Sequence, residues 1–188
     1  MTFLRALHDR IGRLNHFVGT AVSWLAVVLI ALGTLNTILR YLGGWLHLAL
    51  TSNAMGEIQW MLYAAMFLLG AGWVLKEDAH VRVDVLYERF SPRRRAWINL
   101  LGTLLLLLPF CAFGLWISWD YVIDSVRGLE TTADAGRLPI WPAKTLILLG
   151  FFFLGLQGIA LAIRSLLTLG EPSGQPSDHS EEESEGSA

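Results

Sequence analysis

The sequence is poor in charged residues and in cysteine. Charged residues make up 16% of the 188 residues, well below the ~25% of an average soluble domain. Hydrophobic residues reach 54%, and the mean hydropathy is +0.49. The only cysteine, Cys111, lies in an apolar run, which excludes an intrachain disulfide and a cysteine-based metal cluster. This composition disfavours a soluble globular domain.

Motifs of common catalytic sites are also missing. The chain has no phosphate-binding loop, no catalytic-triad spacing and no metal-ligand cluster. No histidine lies well inside an apolar segment, although facing histidine pairs are needed to hold haem in a helical bundle. No Asp, Glu, Lys or Arg lies deep in such a segment either, as an ion-coupled carrier working alone would require. We therefore expect no cofactor and no enzymatic activity.

Four apolar segments are long enough to cross a bilayer, which takes roughly 20 residues as a helix. They cover about residues 17–39, 58–75, 96–119 and 145–163. We predict an all-α integral membrane protein with four transmembrane helices, formed by residues 1–169. Residues 170–188 are rich in Ser, Gly, Pro and acids, and a disordered acidic tail is expected there.

The basic residues predict the orientation of these spans. The segment from Lys76 to Arg95 holds six of the fourteen Lys and Arg residues, and the N-terminal flank holds three more. The first loop has only Arg40. Because cytoplasmic loops are enriched in Lys and Arg, both termini and the second loop are expected in the cytoplasm. Since these basic residues border the spans, they indicate lipid phosphates and topology rather than nucleic-acid binding.

Polar residues in or beside the spans are the first candidates for a site. Asn36 and Gln157 are the main intramembrane amides, and a contact between helices is favoured over substrate binding for both. Glu57 and Gln59 lie at the outer mouth of the second span. Capping of the helix N-terminus is the simplest explanation of Glu57, and the more specific alternative is a contact with a partner subunit.

The second loop alternates apolar and charged residues from His80 to Asp84. We predict an extended elbow at 80–83 followed by a short amphipathic helix, giving a cytoplasmic elbow between spans 2 and 3. The alternative is a solvated loop whose charges only fix the topology. Ser91 and Pro92 are expected to begin the third helix.

The segment GAGWVLKEDAHVRVDVLYERFSPRRRAWINLLG at 70–102 resembles the DctQ-type small membrane subunit of TRAP transporters, the tripartite ATP-independent periplasmic transporters. The resemblance rests on the HVRVD stretch, in which His80, Arg82 and Asp84 carry the polar groups. Two further motifs agree with it: EIQW at 57–60 opens the second span, and LPIWPAK at 138–144, with Trp141 and Lys144, precedes the fourth. The similarity covers about residues 10–168.

This resemblance implies a non-catalytic transporter subunit in a bacterial inner membrane. It implies a large multi-span permease subunit as partner, which carries the substrate and sodium sites, and a periplasmic solute-binding protein that delivers the solute. An ion gradient would drive uptake, and the small subunit would brace the large one and help to dock the binding protein. The rival hypotheses are a small membrane enzyme, or an anchor or assembly subunit of an unrelated inner-membrane complex.

Overall fold

The protein consists of long helices, as its apolar runs predict. The computed structural model describes residues 2–48, 50–77, 90–133 and 137–170. The helices are α1 (Thr2–Leu46), α2 (Asn53–Lys76), α3 (Pro92–Gly102), α4 (Leu108–Arg127) and α5 (Trp141–Gly170). A π-helical turn, Thr103–Leu107, joins α3 to α4, so that 93–127 forms one continuous candidate span. Four helical segments are thus long and apolar enough to cross a membrane, and the predicted fold class is confirmed.

Helix α1 extends well beyond the apolar segment that predicts it. Its 45 residues give a length of about 67 Å, roughly twice the hydrocarbon thickness of a bilayer. The helix ends where His47 adopts a left-handed backbone conformation, with φ of 52°. The Leu48 amide then donates to the Gly43 carbonyl at 2.9 Å, which is the Schellman pattern of a helix C-terminus. A side chain at Gly43 would collide with the Leu48 carbonyl oxygen, 2.6 Å from the Cβ position.

The starts of α2 and α3 carry residues typical of helix N-termini, and those of α3 are the ones that the sequence predicts. Ser52 caps α2, because its hydroxyl accepts a hydrogen bond from the Ala54 amide at 3.2 Å. Ser91 is the cap position of α3, and Pro92 occupies the first turn, where its missing N–H is not needed. Helix α2 ends at Lys76, and the Glu77 amide still donates to the Trp73 carbonyl at 3.0 Å.

The π-helical turn accommodates Pro109 within the third span. A proline inside a helix lacks the N–H for its own backbone bond, and its ring collides with the carbonyl one turn earlier. Here the wider turn lies directly before Pro109, and the Leu108 amide reaches back five residues to the Thr103 carbonyl. Such π turns relieve the local clash while the helix continues.

Helix α5 packs against every other helix of the bundle, and α1 packs mainly along α2. Close approach depends on small residues: a Cβ at Gly72 would lie 3.1 Å from the Phe153 carbonyl oxygen, and one at Gly150 3.0 Å from the Leu68 carbonyl oxygen. Gly114 faces the ring of Phe151 in the same way. Because apolar lipid tails provide little hydrophobic drive between helices, such close contacts hold the bundle together.

Successive spans run in alternating directions and leave two distinct ends. One end, the basic end, holds the start of α1, the end of α2, the start of α3 and the end of α5. The other, the loop end, holds the α1–α2 connection and the 128–140 loop between α4 and α5. The extended elbow predicted at 80–83 lies outside the described residues, as does nearly all of the short helix predicted after it. The predicted tail at 170–188 also lies outside them, apart from Gly170, which ends α5.

Candidate functional site

The 128–140 loop folds back on itself at the loop end. Thr131 and Pro139 form an antiparallel bridge, and the Thr132 amide donates to the Leu138 carbonyl at 2.8 Å. The Ile140 amide donates to the Glu130 carbonyl at 2.9 Å. These bonds satisfy backbone groups that a simple surface loop would leave to water. The two described parts of the loop, 128–133 and 137–140, therefore have a defined shape.

Glu57 anchors this loop to α2. Its side chain is buried, with 3% of the residue exposed, and its Oε2 atom accepts a hydrogen bond from the Thr132 hydroxyl at 2.6 Å. The Leu138 amide lies 3.4 Å from the same oxygen and 3.1 Å from the Thr132 hydroxyl oxygen. A carboxylate this deeply buried is stable only where donors surround it. Ser52, and not Glu57, caps the helix, so the capping interpretation of Glu57 is replaced by a loop anchor.

Lys144 forms the second attachment of the loop. Its ammonium donates a hydrogen bond to Glu130 Oε2 at 2.5 Å and lies 4.1 Å from the centre of the Tyr121 ring. The lysine side chain is 10% exposed, whereas that of Glu130 is 46% exposed. The neighbouring ammonium holds the pKa of the Glu130 carboxyl below its usual value of 4.5. Lys144 thus joins α4, the loop and α5 by an ion pair and a cation–π contact.

The other motif residues near this end have smaller contacts. Trp141 is the first residue of α5 and is half-buried. The Gln59 side-chain amide donates to the Leu32 carbonyl of α1 at 3.4 Å, so it joins two helices. Asn36 is half-buried and lines a surface depression of α1 with Arg40. Within the described chain, the structure places no hydrogen-bond partner for the Asn36 side chain.

A buried amide pair links α1 and α5 closer to the basic end. Asn15 has no exposed surface, and its Nδ2 atom donates to Gln157 Oε1 at 2.8 Å. Asn15 Oδ1 has no partner among the described residues and lies 2.8 Å from the Cβ position of Gly72. The predicted interhelical use of Gln157 matches this contact. Its partner Asn15 was missed, because it follows Arg13 in the polar flank before the first apolar segment.

The three polar residues of the HVRVD stretch, His80, Arg82 and Asp84, lie outside the described residues. Their assignment to a subunit contact stays a prediction. The structure instead draws attention to Thr132 and Glu130, whose partners Glu57 and Lys144 were candidates from sequence. Thr132 carries no sequence signal of its own, and Glu130 is one of several acids near the third loop, with Asp120, Asp124 and Asp134.

The contacts described above join helices or fix a loop, and no set of them resembles a catalytic centre. Among the residues that the structure describes, no group of three or more His, Cys, Asp or Glu residues is placed to hold a metal ion. The fold and these contacts define a class: a multi-pass, all-helical membrane protein built around structural polar contacts.

Comparison with known proteins then gives the family. The family model described as the DctQ component of the tripartite ATP-independent periplasmic transporters matches residues 29–168 of this sequence. This is most of the chain. The chain therefore belongs to the DctQ family and is a TRAP transporter small permease subunit. The family is one of transporter components, not of enzymes. It implies a complex with a large permease and a solute-binding protein. Comparisons with curated proteins and with solved structures give no match.

Proposed function

We propose that this subunit braces the large permease in the bacterial inner membrane and contributes part of the docking surface for the solute-binding protein. An ion gradient drives uptake, and the substrate and sodium sites belong to the large subunit. The observation that carries this proposal is the family match over residues 29–168. The buried polar groups support it, because those described here connect helices or hold a loop and none forms a substrate site.

The orientation follows from the distribution of basic residues between the two ends. The loop end carries four basic residues: Arg40, Arg127, Arg137 and Lys144. Eight described residues at the basic end are basic: Arg5, Arg10, Arg13, Lys76, Arg93, Arg94, Arg95 and Arg164. The remaining two, Arg82 and Arg89, come in the sequence between α2 and α3. By the positive-inside rule the basic end is cytoplasmic, with both termini, and the loop end is periplasmic.

Helix α1 is the part of the chain best suited to contact the large subunit. From Ser23 to Leu46, only Gly43 is buried, and large apolar side chains stand exposed, with Trp24 at 68% and Ile30 at 69%. The helix is also longer than a bilayer is thick. Few side chains of this exposed stretch pack inside the bundle, so a second membrane protein, the large subunit, is the partner that we propose covers it.

The 128–140 loop is the proposed docking element. Its base is fixed by Glu57 and Lys144, while Leu129 near its start is 68% exposed. Leu129 and Arg137 both hold left-handed backbone conformations, with φ of 46°. A loop with a fixed shape loses little conformational entropy on binding, which favours a reproducible contact.

The alternative is an anchor or assembly subunit of an unrelated inner-membrane complex. The four spans alone fit that function equally well. The family match favours the transporter, and the two hypotheses differ in the partner that they require.

Co-purification with the large permease tests the proposal. The tagged chain should capture a large multi-span TRAP permease co-expressed with it. The Trp24→Ala and Ile30→Ala double variant should recover less permease at equal expression. Phe67→Ala on α2 is the matched control, since Phe67 is exposed to 67%, and recovery should stay unchanged. A wild-type chain that stays monodisperse and never retains the permease would contradict the proposal.

A further inference from the structure

The C-terminal end of α4 has a leucine at the position where many helices have a glycine. The Glu130 amide donates to the Ser125 carbonyl at 3.1 Å, and the Leu129 amide donates to the Val126 carbonyl at 3.3 Å. These two bonds form a Schellman motif, in which the residue after the cap adopts the left-handed conformation and is usually glycine. That residue here is Leu129, with φ of 46°. The glycine of this helix end, Gly128, lies one position earlier, with φ of −79°.

The conformation of Leu129 costs free energy that packing within the described chain offsets little. A Cβ atom crowds the neighbouring carbonyl oxygen in the left-handed region, whereas glycine avoids this contact. The motif often gains an apolar contact between the residues that its outer bond joins, but here both of them, Glu130 and Ser125, are polar. The leucine is itself 68% exposed. An exposed leucine alone needs no explanation, but one held in a strained backbone indicates a function.

Leu129 lies beyond the part of α4 that lipid tails can cover. The last two turns of the helix expose charged side chains along one face, at Asp120, Asp124 and Arg127. Because charged side chains are costly in the hydrocarbon region, these turns lie at its edge or outside it. They rise about 10 Å, and Leu129 follows them. By the proposed orientation this is the periplasmic side, where a protein is the partner able to cover the leucine.

The backbone of Leu129 is fixed on both sides. The two bonds of the motif hold it to α4. The carbonyl of the next residue, Glu130, accepts a hydrogen bond from the Ile140 amide at 2.9 Å, and the Glu130 side chain is paired with Lys144. A side chain on a fixed backbone loses little conformational entropy when a partner binds it. The loop thus holds the leucine ready for a contact.

We propose that Leu129 is the apolar contact residue through which the loop end binds the solute-binding protein, with its side chain in an apolar pocket of that protein. The inference rests on the proposed function, which makes this protein the soluble partner on the periplasmic side. The large permease is expected along α1, which packs on α2 and α5 rather than on α4. Burial of the leucine in the complex offsets the cost of its backbone conformation.

Replacing Leu129 by glycine separates the contact from the structure of the loop. Glycine adopts the left-handed conformation without strain, so amide exchange of the loop in Leu129→Gly should be no faster than in the wild type. The purified complex of the small and large subunits should nevertheless bind the solute-binding protein about tenfold more weakly. Leu129→Met keeps an apolar side chain of similar volume and should bind within about twofold of the wild type.

The matched control is His47→Gly. His47 holds the same left-handed conformation at the end of α1, with φ of 52°, and is also exposed. Its replacement relieves a similar strain in the other connection of the loop end, and binding of the solute-binding protein should stay close to that of the wild type. Equal losses in Leu129→Gly and His47→Gly would overturn the proposal, because backbone conformation and not the leucine side chain would then decide binding.

Three further outcomes would also overturn the proposal. Binding in Leu129→Gly equal to that of the wild type would show that the side chain makes no contact. Weaker binding accompanied by faster loop exchange would show that Leu129 acts only through the shape of the loop. Loss of the large permease from Leu129→Gly would show that the leucine contacts that subunit instead.

The failure of this inference can be told apart from the failure of the proposed function. A complex that binds the solute-binding protein equally well in its wild-type and Leu129→Gly forms would defeat only the contact residue. A wild-type chain that never captures the permease would defeat the proposed function. A complex that forms but never binds the solute-binding protein would defeat the docking part of that function, and Leu129 as its contact.

Discussion

Replacing Glu57 by alanine is expected to release the 128–140 loop from α2. The buried carboxylate accepts a 2.6 Å hydrogen bond from the Thr132 hydroxyl, and Thr132 itself is only 8% exposed. The Leu138 amide would keep a partner, because it also donates to the Thr132 hydroxyl oxygen at 3.1 Å. The main loss is therefore the charged hydrogen bond of Thr132, whose hydroxyl hydrogen would remain buried without its acceptor.

The size of the effect is worked from the bond between Thr132 and Glu57. A hydrogen bond to a charged group contributes about 1.5–3 kcal/mol, and the 3.4 Å contact to Leu138 is too long to add its full share. The free energy needed to open the loop locally should fall by about 2 kcal/mol, which corresponds to a roughly 30-fold faster amide exchange in the loop. Glu57→Gln should cause a smaller increase, because its amide oxygen still accepts from Thr132.

Hydrogen exchange of peptides covering 128–140, read by mass spectrometry, measures this change directly. Asp120→Ala is the control: it removes an exposed carboxylate from the neighbouring helix α4 and should leave loop exchange unchanged. Thr132→Val should accelerate exchange in the wild type but add little once Glu57 is alanine, since the two groups share one bond. Exchange in Glu57→Ala equal to that of the wild type would refute the proposed anchor.

Two further predictions concern the buried amide pair and the loop ion pair. Gln157→Met should destabilise the chain by about 1 kcal/mol, because it leaves the Asn15 amide buried without an acceptor, and adding Asn15→Leu should restore most of that loss. Thermal unfolding in detergent measures the stability of both variants. If the effects of the two substitutions were additive in the double variant, the pairing would be contradicted. Glu130 has a lowered pKa in the folded state, so its stabilising contribution is present above pH 4.5 and is lost as the pH falls through the folded pKa. The protection factors of the loop amides, which compare the observed exchange with the intrinsic exchange rate at each pH, should therefore fall as the pH drops below about 4.5. Glu130→Gln should remove that fall, and an identical acid profile in the variant would exclude the ion pair as its cause.

The helices could be predicted from the sequence because a helix that crosses a membrane needs a long run of apolar residues. Long apolar runs predict spans, and Ser52 and Pro92 mark helix starts through their local chemistry. The full length of α1 could not be predicted in this way. Its first turns carry charged residues that a hydropathy pattern assigns to a flank, although they continue the same helix.

The hydrogen-bond partners of the polar residues could not be predicted from the sequence. Glu57 and Thr132 are 75 positions apart, and Asn15 and Gln157 are 142 positions apart. No periodicity connects such pairs, because each depends on how two helices pack and where a loop folds back. The residue types were still informative: Glu57, Lys144 and Gln157 were candidates because polar groups near a bilayer need partners.

Because only the first half of α1 packs into the bundle, a small rotation of that half would produce a large displacement at the other end of the helix. Apart from Gly43, its buried residues Ile11, Asn15, Gly19 and Val22 all lie in the first half, and the ring of Trp73 packs over Gly19 there. The second half continues as one unbroken helix to Leu46. A tilt of about 10° around Val22 would therefore move the far end, about 36 Å away, by roughly 6 Å. A small shift of the first half would thus be carried across the membrane to whatever protein contacts the exposed half.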